Sequence, residues 1–464
     1  MFKASVYSDR RKSLRKKVKS GIILFPGNSE SSFNYPANTY HFRQDSNFLY
    51  FFGLDHPDLA GIIDIDEDKE VIFGNDVDMD DIIWMGPQPS MADRAALVGV
   101  KTTAPLKNLF DFIREALARG RKIHFVAPYR GESFIMLESL LNIPIAEIRS
   151  FVSVDLIKAI VELRSVKDHF EIDEIEKAVN IAYEMHTTAM RMAIPGRVER
   201  EIAGVIEGIS LSKGGPVSFP VILSIHGETL HNHYHGNVLK KGRMMVTDAG
   251  AETTLHYASD ITRTVPVGGK FDTRQRDIYE IVLKANMDAI EATKPGVPNR
   301  KLHLIAARVI ADGLKNLGLM KGDMDEAVSQ GAHAMFFPHG LGHMLGLDVH
   351  DMEGLGESYV GYDEEVQRSK QFGTAFLRLG RKHQPGFVFT IEPGIYFIPA
   401  LIDQWRKEKK FTDFIDYERV ESYKDFGGIR IEDDILVTDT GHKVLGKPIP
   451  KTVSEVESVM SNPL

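Results

Sequence analysis

Cysteine is absent from the 464 residues, which excludes disulfide cross-links, thiolate metal sites and a cysteine nucleophile. A reducing compartment suits such a chain, and the cytoplasm is the expected one. Long apolar runs are missing too, since no stretch approaches the roughly 20 residues needed to span a bilayer. No hydrophobic segment follows the basic residues near the start, so no secretory signal is expected and a soluble protein is. Positive charge is in deficit: the net charge is −9. Apart from Arg10-Arg11-Lys12 and the run Arg15-Lys16-Lys17 to Lys19, charge is spread along the chain, leaving no footprint for nucleic acid or an anionic membrane. That basic cluster is expected to form a solvated helix face. Neither solenoid repeats nor low-complexity tracts interrupt the sequence.

What is present reads as a folded protein of two parts. Hydrophobic residues make up 43% and charged residues 26% of the chain, the ordinary globular range, and the length is about three times that of a usual domain. From Gly21 to Phe151, short apolar runs (Ile22 to Phe25, Gly61 to Ile65, Glu70 to Phe73, Lys122 to Val126) alternate with helical patterns such as Leu106 to Leu117, the signature of a small α/β domain. A charged helix-forming stretch from Val154 to Ala193 ends at Ile194-Pro195-Gly196, where proline stops a helix. Downstream, strand-like runs at Met244 to Thr247, Ile261 to Val267, Phe387 to Ile391 and Ile429 to Val437 are interleaved with helical patterns at Asp277 to Thr293 and Lys301 to Leu317. This arrangement predicts an α+β domain with antiparallel sheet. The expected division is residues 1–155 and 156–464.

The chemistry sits where acids interrupt apolar strands: Asp248 after Met244-Met245-Val246-Thr247, Asp260 before Ile261-Thr262-Arg263, Glu392 after Phe389-Thr390-Ile391, and Glu432 after Ile429-Arg430-Ile431. A carboxylate on a strand that packs on a core must be paired, hydrogen-bonded or metal-bound. Any one of them alone reads most simply as a strand-end acid or a salt bridge, and Arg263 and Arg430 are close enough in sequence to supply charge. Strand alternation nevertheless puts Arg430 and Glu432 on one face and Ile429 and Ile431 on the other, so polar groups line a pocket.

A fifth segment, His339-Gly340-Leu341-Gly342-His343 to His350-Asp351, is dense in imidazole and glycine. Its H-x-x-x-H spacing is not a zincin motif, because no glutamate follows His339 and each glycine costs a helix about 1 kcal/mol. A loop or strand carrying one ligand and two proton-handling histidines fits better. Four carboxylates and one imidazole form a hard donor set that suits Mn²⁺ and tolerates Co²⁺ or Zn²⁺. Two divalent cations balance the four charges, and two ions roughly 3.5 to 4 Å apart with a water between them make a hydrolytic site.

These residues resemble the proline-specific metallopeptidases of the methionine aminopeptidase superfamily, Xaa-Pro aminopeptidase (aminopeptidase P) and prolidase. The resemblance covers nearly the full length, since Asn34-Tyr35-Pro36 and Phe42-Arg43-Gln44-Asp45 to Gly53-Leu54 are similar to the family's N-terminal domain. It implies a "pita-bread" catalytic domain of α+β class preceded by a smaller α/β domain. It also implies a metal set in which Asp248 serves one ion, His343 and Glu392 the other, and Asp260 and Glu432 bridge. His339 and His350 match histidines that contact substrate or the developing oxyanion. Glu392 matches a residue that also moves the proton of the attacking water, and Arg430 matches an arginine beside the metals. A further family histidine precedes the first ligand; the spacing to Asp248 favours His231 and a tyrosine neighbour favours His233, and His231 is the residue expected to take that role. Arg378 falls where prolidase grips its substrate's carboxylate, a contact suited to a guanidinium fork. Trp84 resembles a tryptophan that reaches a neighbouring subunit's active site, which implies a homodimer or higher oligomer. The expected partner is a peptide with proline at its second position. Dipeptide-restricted prolidase is the alternative within the family, and a non-catalytic peptide-binding relative the alternative outside it.

Overall fold

The computed structural model describes residues 1–464, and the chain divides into two compact units. The first holds Met1–Arg164 with Glu353–Tyr359, the second Ser165–Met352 with Val360–Leu464.

In the first unit a five-stranded sheet runs in the order Thr102–Ala104, Lys69–Phe73, Ala60–Asp64, Ile22–Pro26, Ile123–His124. The inner pairings are antiparallel and the two edge pairings parallel. Alternation sorts the apolar residues to the two faces. Ile22, Leu24, Ile62, Val71 and Phe73 pack with Leu109 and Ile113 from the helix Asn108–Ala118 and with Leu137 and Leu140 from Gly131–Leu141. Phe25 meets Phe51 of the helix Ser46–Phe52, ring centroids 5.0 Å apart. Gly61 is required there, because a Cβ would fall 2.3 Å from the Phe52 ring. The helix Val154–Ser165 lies mostly in this unit, where Tyr50 donates to the Leu163 carbonyl at 3.1 Å and Arg164 to Asn47 at 2.7 Å.

One sequence expectation holds only in part in this unit: Lys12, Lys16 and Lys19 are exposed as expected. The basic run lies on the helix Ala4–Val18, but Arg10 and Arg11 are buried rather than solvated. Arg11 donates to the Glu70 carboxylate at 2.8 Å, to the Phe51 carbonyl at 2.8 Å and to the Val98 carbonyl at 2.9 Å. A guanidinium with five donors can be buried when a carboxylate and carbonyls saturate it, and charge density along the sequence cannot report those distant partners.

The second unit is α+β with antiparallel sheets. One three-stranded sheet runs Ile261–Pro266, Met244–Ala249, Ile222–Ser224; another runs Val388–Ile391, Asp433–Val437, His442–Val444. A two-stranded ribbon joins Gly394–Tyr396 to Gly428–Arg430. The two expected long helices are Thr273–Glu291 and Asn299–Asn316. The stretch foreseen as one strand from Ile429 to Val437 is broken at Ile431 and Glu432, the backbone turning out of the ribbon and into the second sheet. Glu432 sits at that break. The charged stretch from Val154 to Ala193 likewise splits, and the longer piece, His169–Met192, starts with a capping box from Asp168 to Glu171.

Replacing Arg11 by methionine is expected to destabilise the first unit by about 3 kcal/mol, because it strands the Phe51 and Val98 carbonyls in the interior and leaves the half-buried Glu70 with Arg15 alone. The check is the urea midpoint of the full chain; an unshifted midpoint would show that the buried guanidinium contributes no net stability.

Candidate metal centre

A cavity of about 600 Å³ in the second unit gathers Asp248, Asp260, His343, Glu392 and Glu432, together with His231, His233, His339, His350, Arg378 and Arg430. Trp84 is not among its lining residues; it stands 86% exposed on the helix Met79–Met85 in the first unit, a helix with no buried residue.

Local structure explains how the side chains are aimed. Asp248 and Thr262 are cross-strand partners, so both point to the same face. Asp260 precedes its strand, and its backbone N–H donates to Asp434 at 3.0 Å. His343 lies in an irregular segment stitched to the strand Val388–Ile391: its N–H donates to Thr390 Oγ1 at 3.2 Å, and Thr390 N–H donates back to the His343 carbonyl at 3.0 Å. Gly342 makes that approach possible, because a Cβ at this position would lie 1.8 Å from the Thr390 carbonyl oxygen. The segment is closed on itself, with Asp351 N–H donating to Met344 O at 2.8 Å and the buried Lys167 ammonium reaching Asp351 at 2.7 Å.

At the centre, one ligating atom each from Asp260, His343 and Glu432 fall within 4.8 Å of one another. His343 Nε2 is 3.3 Å from Asp260 Oδ2 and 3.6 Å from Glu392 Oε1. Its Nδ1 lies 3.1 Å from the Met344 carbonyl, and that oxygen can only accept, so the proton sits on Nδ1 and the Nε2 lone pair faces the carboxylates. Burial also holds this imidazole well below its usual pKa, so it is neutral. Burial pushes Asp260 and Glu432 well above the carboxylate range, and the neighbouring acids push them further. Glu392 is pushed up to about 7, again chiefly by burial.

Protein cations do not account for this cluster. Arg430 spans Asp248 Oδ2 at 2.5 Å, Thr262 Oγ1 at 3.0 Å and the Tyr396 hydroxyl at 2.8 Å. Glu432 accepts from Thr262 Oγ1 at 2.7 Å. That leaves Asp248 Oδ1, Asp260 Oδ1 and Glu432 Oε1 buried with no hydrogen-bond partner. Orphaned carboxylate oxygens beside an imidazole lone pair are a donor set for a divalent cation, and the residues fit such a group.

Around this centre, His339 Nδ1 faces the Gly340 carbonyl at 2.8 Å and Nε2 the Tyr396 hydroxyl at 2.9 Å; burial drops its pKa to about 3. The His350 ring stands 4.3 Å from that of His343. His231 and His233 both line the cavity; burial and then the nearby Arg430 charge lower the pKa of His231. The sequence reading missed Tyr396, which links Arg430 to His339, and Thr262, which links Arg430 to Glu432. Strand periodicity puts Tyr396 on the face of Gly394, whose pairing with Arg430 is visible only in the fold. A tyrosine or threonine on a strand is nonetheless too common to single out.

An α+β fold with a buried acidic centre and one imidazole defines a metallopeptidase, and comparison with known proteins is specific. Residues 173–439 match the model of metallopeptidase family M24, and residues 7–124 match that of the aminopeptidase P N-terminal domain. The chain belongs to metallopeptidase family M24. It is 35% identical over 431 residues to a probable Xaa-Pro aminopeptidase of Aspergillus clavatus, covering 90% of this chain and 88% of that protein. It is 31% identical over 459 residues to the Xaa-Pro dipeptidase of Homo sapiens, covering 96% and 90%. Among solved structures, aminopeptidase P of Escherichia coli in a low-pH form superposes with a TM-score of 0.82 at 28% identity, covering 99% of both chains. Aminopeptidase PepP of Pseudomonas aeruginosa gives the same score and identity over 99% of this chain and 98% of that one. No helix is long and apolar enough to cross a membrane.

A cation that binds the folded cluster and not the unfolded chain must stabilise the fold. Mn²⁺ at about 100 times its Kd is expected to add about 2.7 kcal/mol, raising the melting temperature, and a chelator is expected to reverse the rise. A melting curve indifferent to both would show that the cluster holds no cation.

Proposed function

We propose that the chain is a Xaa-Pro aminopeptidase, which hydrolyses the bond between an N-terminal residue and a following proline. The observation that carries this reading is the convergence of Asp260, His343 and Glu432 on one point of a cavity whose walls also carry His339, His350, Arg378 and Arg430. Asp248, Asp260, His343, Glu392 and Glu432 would hold two divalent cations. The hard donor set favours Mn²⁺, with Co²⁺ or Zn²⁺ tolerated. When bound, the cations supply Lewis acidity and neutralise the carboxylates.

The chain's own groups do the rest. Peptide enters a cavity walled by Phe219, Pro220, Ile222 and Leu230 on one part and by Phe372, Phe376, Ile398 and Leu401 on another, apolar surface that suits a pyrrolidine ring and excludes water from it. Glu392 takes a proton from the water that adds to the scissile carbonyl and delivers it to the proline nitrogen as the C–N bond breaks, releasing the first residue and a peptide that begins with proline. His350 and His231 face the negative charge developing on the carbonyl oxygen. His339 is held by the Tyr396 hydroxyl and orients the substrate. Arg430 fixes Asp248, and Arg378 receives a carboxylate or carbonyl of the peptide.

The division into a 1–155 N-terminal domain and a 156–464 catalytic domain, an oligomer in which Trp84 reaches a neighbouring copy's substrate, and a cytoplasmic location belong to the same reading. The exposure of Trp84 supports the second of these. Prolidase is the second reading. It is favoured by the length of the connection from Tyr396 to Gly428, which carries the helices Pro399–Lys407 and Tyr417–Glu421 and contributes Ile398 and Leu401 to the cavity.

Rates on a Xaa-Pro dipeptide and on a tripeptide with proline second, each with added Mn²⁺, separate the two. Turnover of the tripeptide is expected, and turnover of the dipeptide alone would assign prolidase. Asp260→Asn and Glu432→Gln are each expected to remove most of the activity, by about 100-fold or more, as each weakens both ions. Near-normal kcat in either variant would refute the bridging roles.

A further inference from the structure

Asn286 is fully buried within the helix Thr273–Glu291. The helix is otherwise buried largely through Ile278, Tyr279, Val282, Leu283, Ala285 and Ala289, so an amide in its interior needs an account of where its hydrogen bonds go. Its Nδ2 donates to the Ile391 carbonyl at 3.1 Å and to the Ile431 carbonyl at 3.4 Å. Its Oδ1 accepts from Lys451 at 2.8 Å, and the same ammonium reaches Asp433 Oδ2 at 2.6 Å. Ile391 and Ile431 immediately precede Glu392 and Glu432. They belong to different parts of the sheet structure: Ile391 ends the strand Val388–Ile391, and Ile431 lies at the break between Gly428–Arg430 and Asp433–Val437.

We infer that Asn286 is a positioning residue that sets the separation of Glu392 and Glu432 by bonding the backbone in front of each. The inference rests on the proposed ligand roles of those glutamates. Neither glutamate lies inside a strand ladder: Glu432 N–H donates to the Thr262 carbonyl at 3.1 Å and Glu392 N–H to the Leu341 carbonyl at 2.8 Å, contacts that tie each to its own neighbour and not to the other glutamate. Glu432 stands outside both of its flanking strands, and Glu392 follows the last residue of its own. The Ile431 carbonyl lies at a strand break and the Ile391 carbonyl at a strand end, and one amide with two N–H groups holds both to a common point on a rigid helix. Lys451 fixes which end of the amide points forward, since an ammonium can only face the oxygen. Groups that orient metal ligands in this way typically govern affinity and rate without touching the ion.

The test uses the full-length protein titrated with Co²⁺, followed by visible absorption, alongside thermal melting and kcat and KM on a Xaa-Pro tripeptide. Asn286→Leu keeps the volume and removes the amide; Asn286→Ser leaves space for a water and serves if the leucine variant does not fold. In either variant, the expected result for the folded fraction is a loss of about 10- to 100-fold in cobalt affinity or kcat, an altered cobalt spectrum, and a KM within about threefold of wild type. A variant that melts lower yet keeps the wild-type cobalt isotherm, spectrum and kcat would overturn the inference and leave Asn286 a structural residue. Wild-type protein that takes up no cobalt and cleaves no tripeptide would instead overturn the functional reading on which the inference depends.

Discussion

Four carboxylates share one buried cavity, and their mutual repulsion is the constraint to which the rest of the catalytic unit answers. Placing Asp248, Asp260, Glu392 and Glu432 together out of water is unfavourable unless positive charge is brought in with them. The chain supplies part of it. Arg430 is tied to Asp248, and Arg263, one layer back, is tied to Asp433 at 2.7 Å and to the Glu432 carbonyl at 2.6 Å. The Arg263 and Lys451 charges outweigh burial at Asp433 and hold its pKa far below the usual carboxylate range. Asp433 is therefore a neutralised structural anion, although it is the neighbour of Glu432 in sequence. Adjacent acids thus have opposite fates, one satisfied by protein cations and one left with an oxygen that no protein donor reaches.

The scaffold around that unsatisfied set is built from hydrogen bonds that leave the ligating atoms clear. Thr262 accepts from Arg430 and donates to Glu432 through one hydroxyl. Thr390 couples the backbone of His343 to the strand leading to Glu392. Met344 fixes the tautomer of His343 through its carbonyl, the arrangement that metal-binding histidines need. Such contacts rigidify the centre before any ion arrives, which lowers the reorganisation that binding and reaction would otherwise require.

The sequence disclosed the centre more fully than its surroundings, for reasons visible residue by residue. Acids that interrupt Met244 to Thr247, Ile261 to Val267 and Phe389 to Ile391 are conspicuous because apolar strands advertise burial, and a buried acid must have a purpose. Arg430 and Glu432 both line the cavity and Ile429 and Ile431 are fully buried, as alternation predicted, although the strand that the alternation assumed stops at Arg430. Tyr396, Thr262 and Asn286 were silent because each is an ordinary residue in an ordinary element, and its importance lies in partners distant in the chain. Asn286 bonds residues more than a hundred positions away. Arg11 failed in the opposite sense: a basic cluster looks solvated in sequence, and its three buried acceptors lie on separate elements.

On the proposed function, substrate length turns on the surroundings of Arg378. A guanidinium is indifferent to whether it meets a terminal carboxylate or the carbonyl of a continuing chain, so it cannot by itself restrict the enzyme to dipeptides. Restriction needs a wall beyond it. Phe372 and Phe376 precede this arginine in sequence and line the same cavity, and they are 39% and 53% exposed. Their rings pack edge to face at 6.0 Å, and Phe372 rests on the buried Trp405 at 5.7 Å, so the pair is fixed in place yet open to solvent. An exposed aromatic rim is a surface along which an extended peptide can leave. The connection from Tyr396 to Gly428 buttresses that rim through Trp405, besides giving Ile398 and Leu401 to the cavity wall.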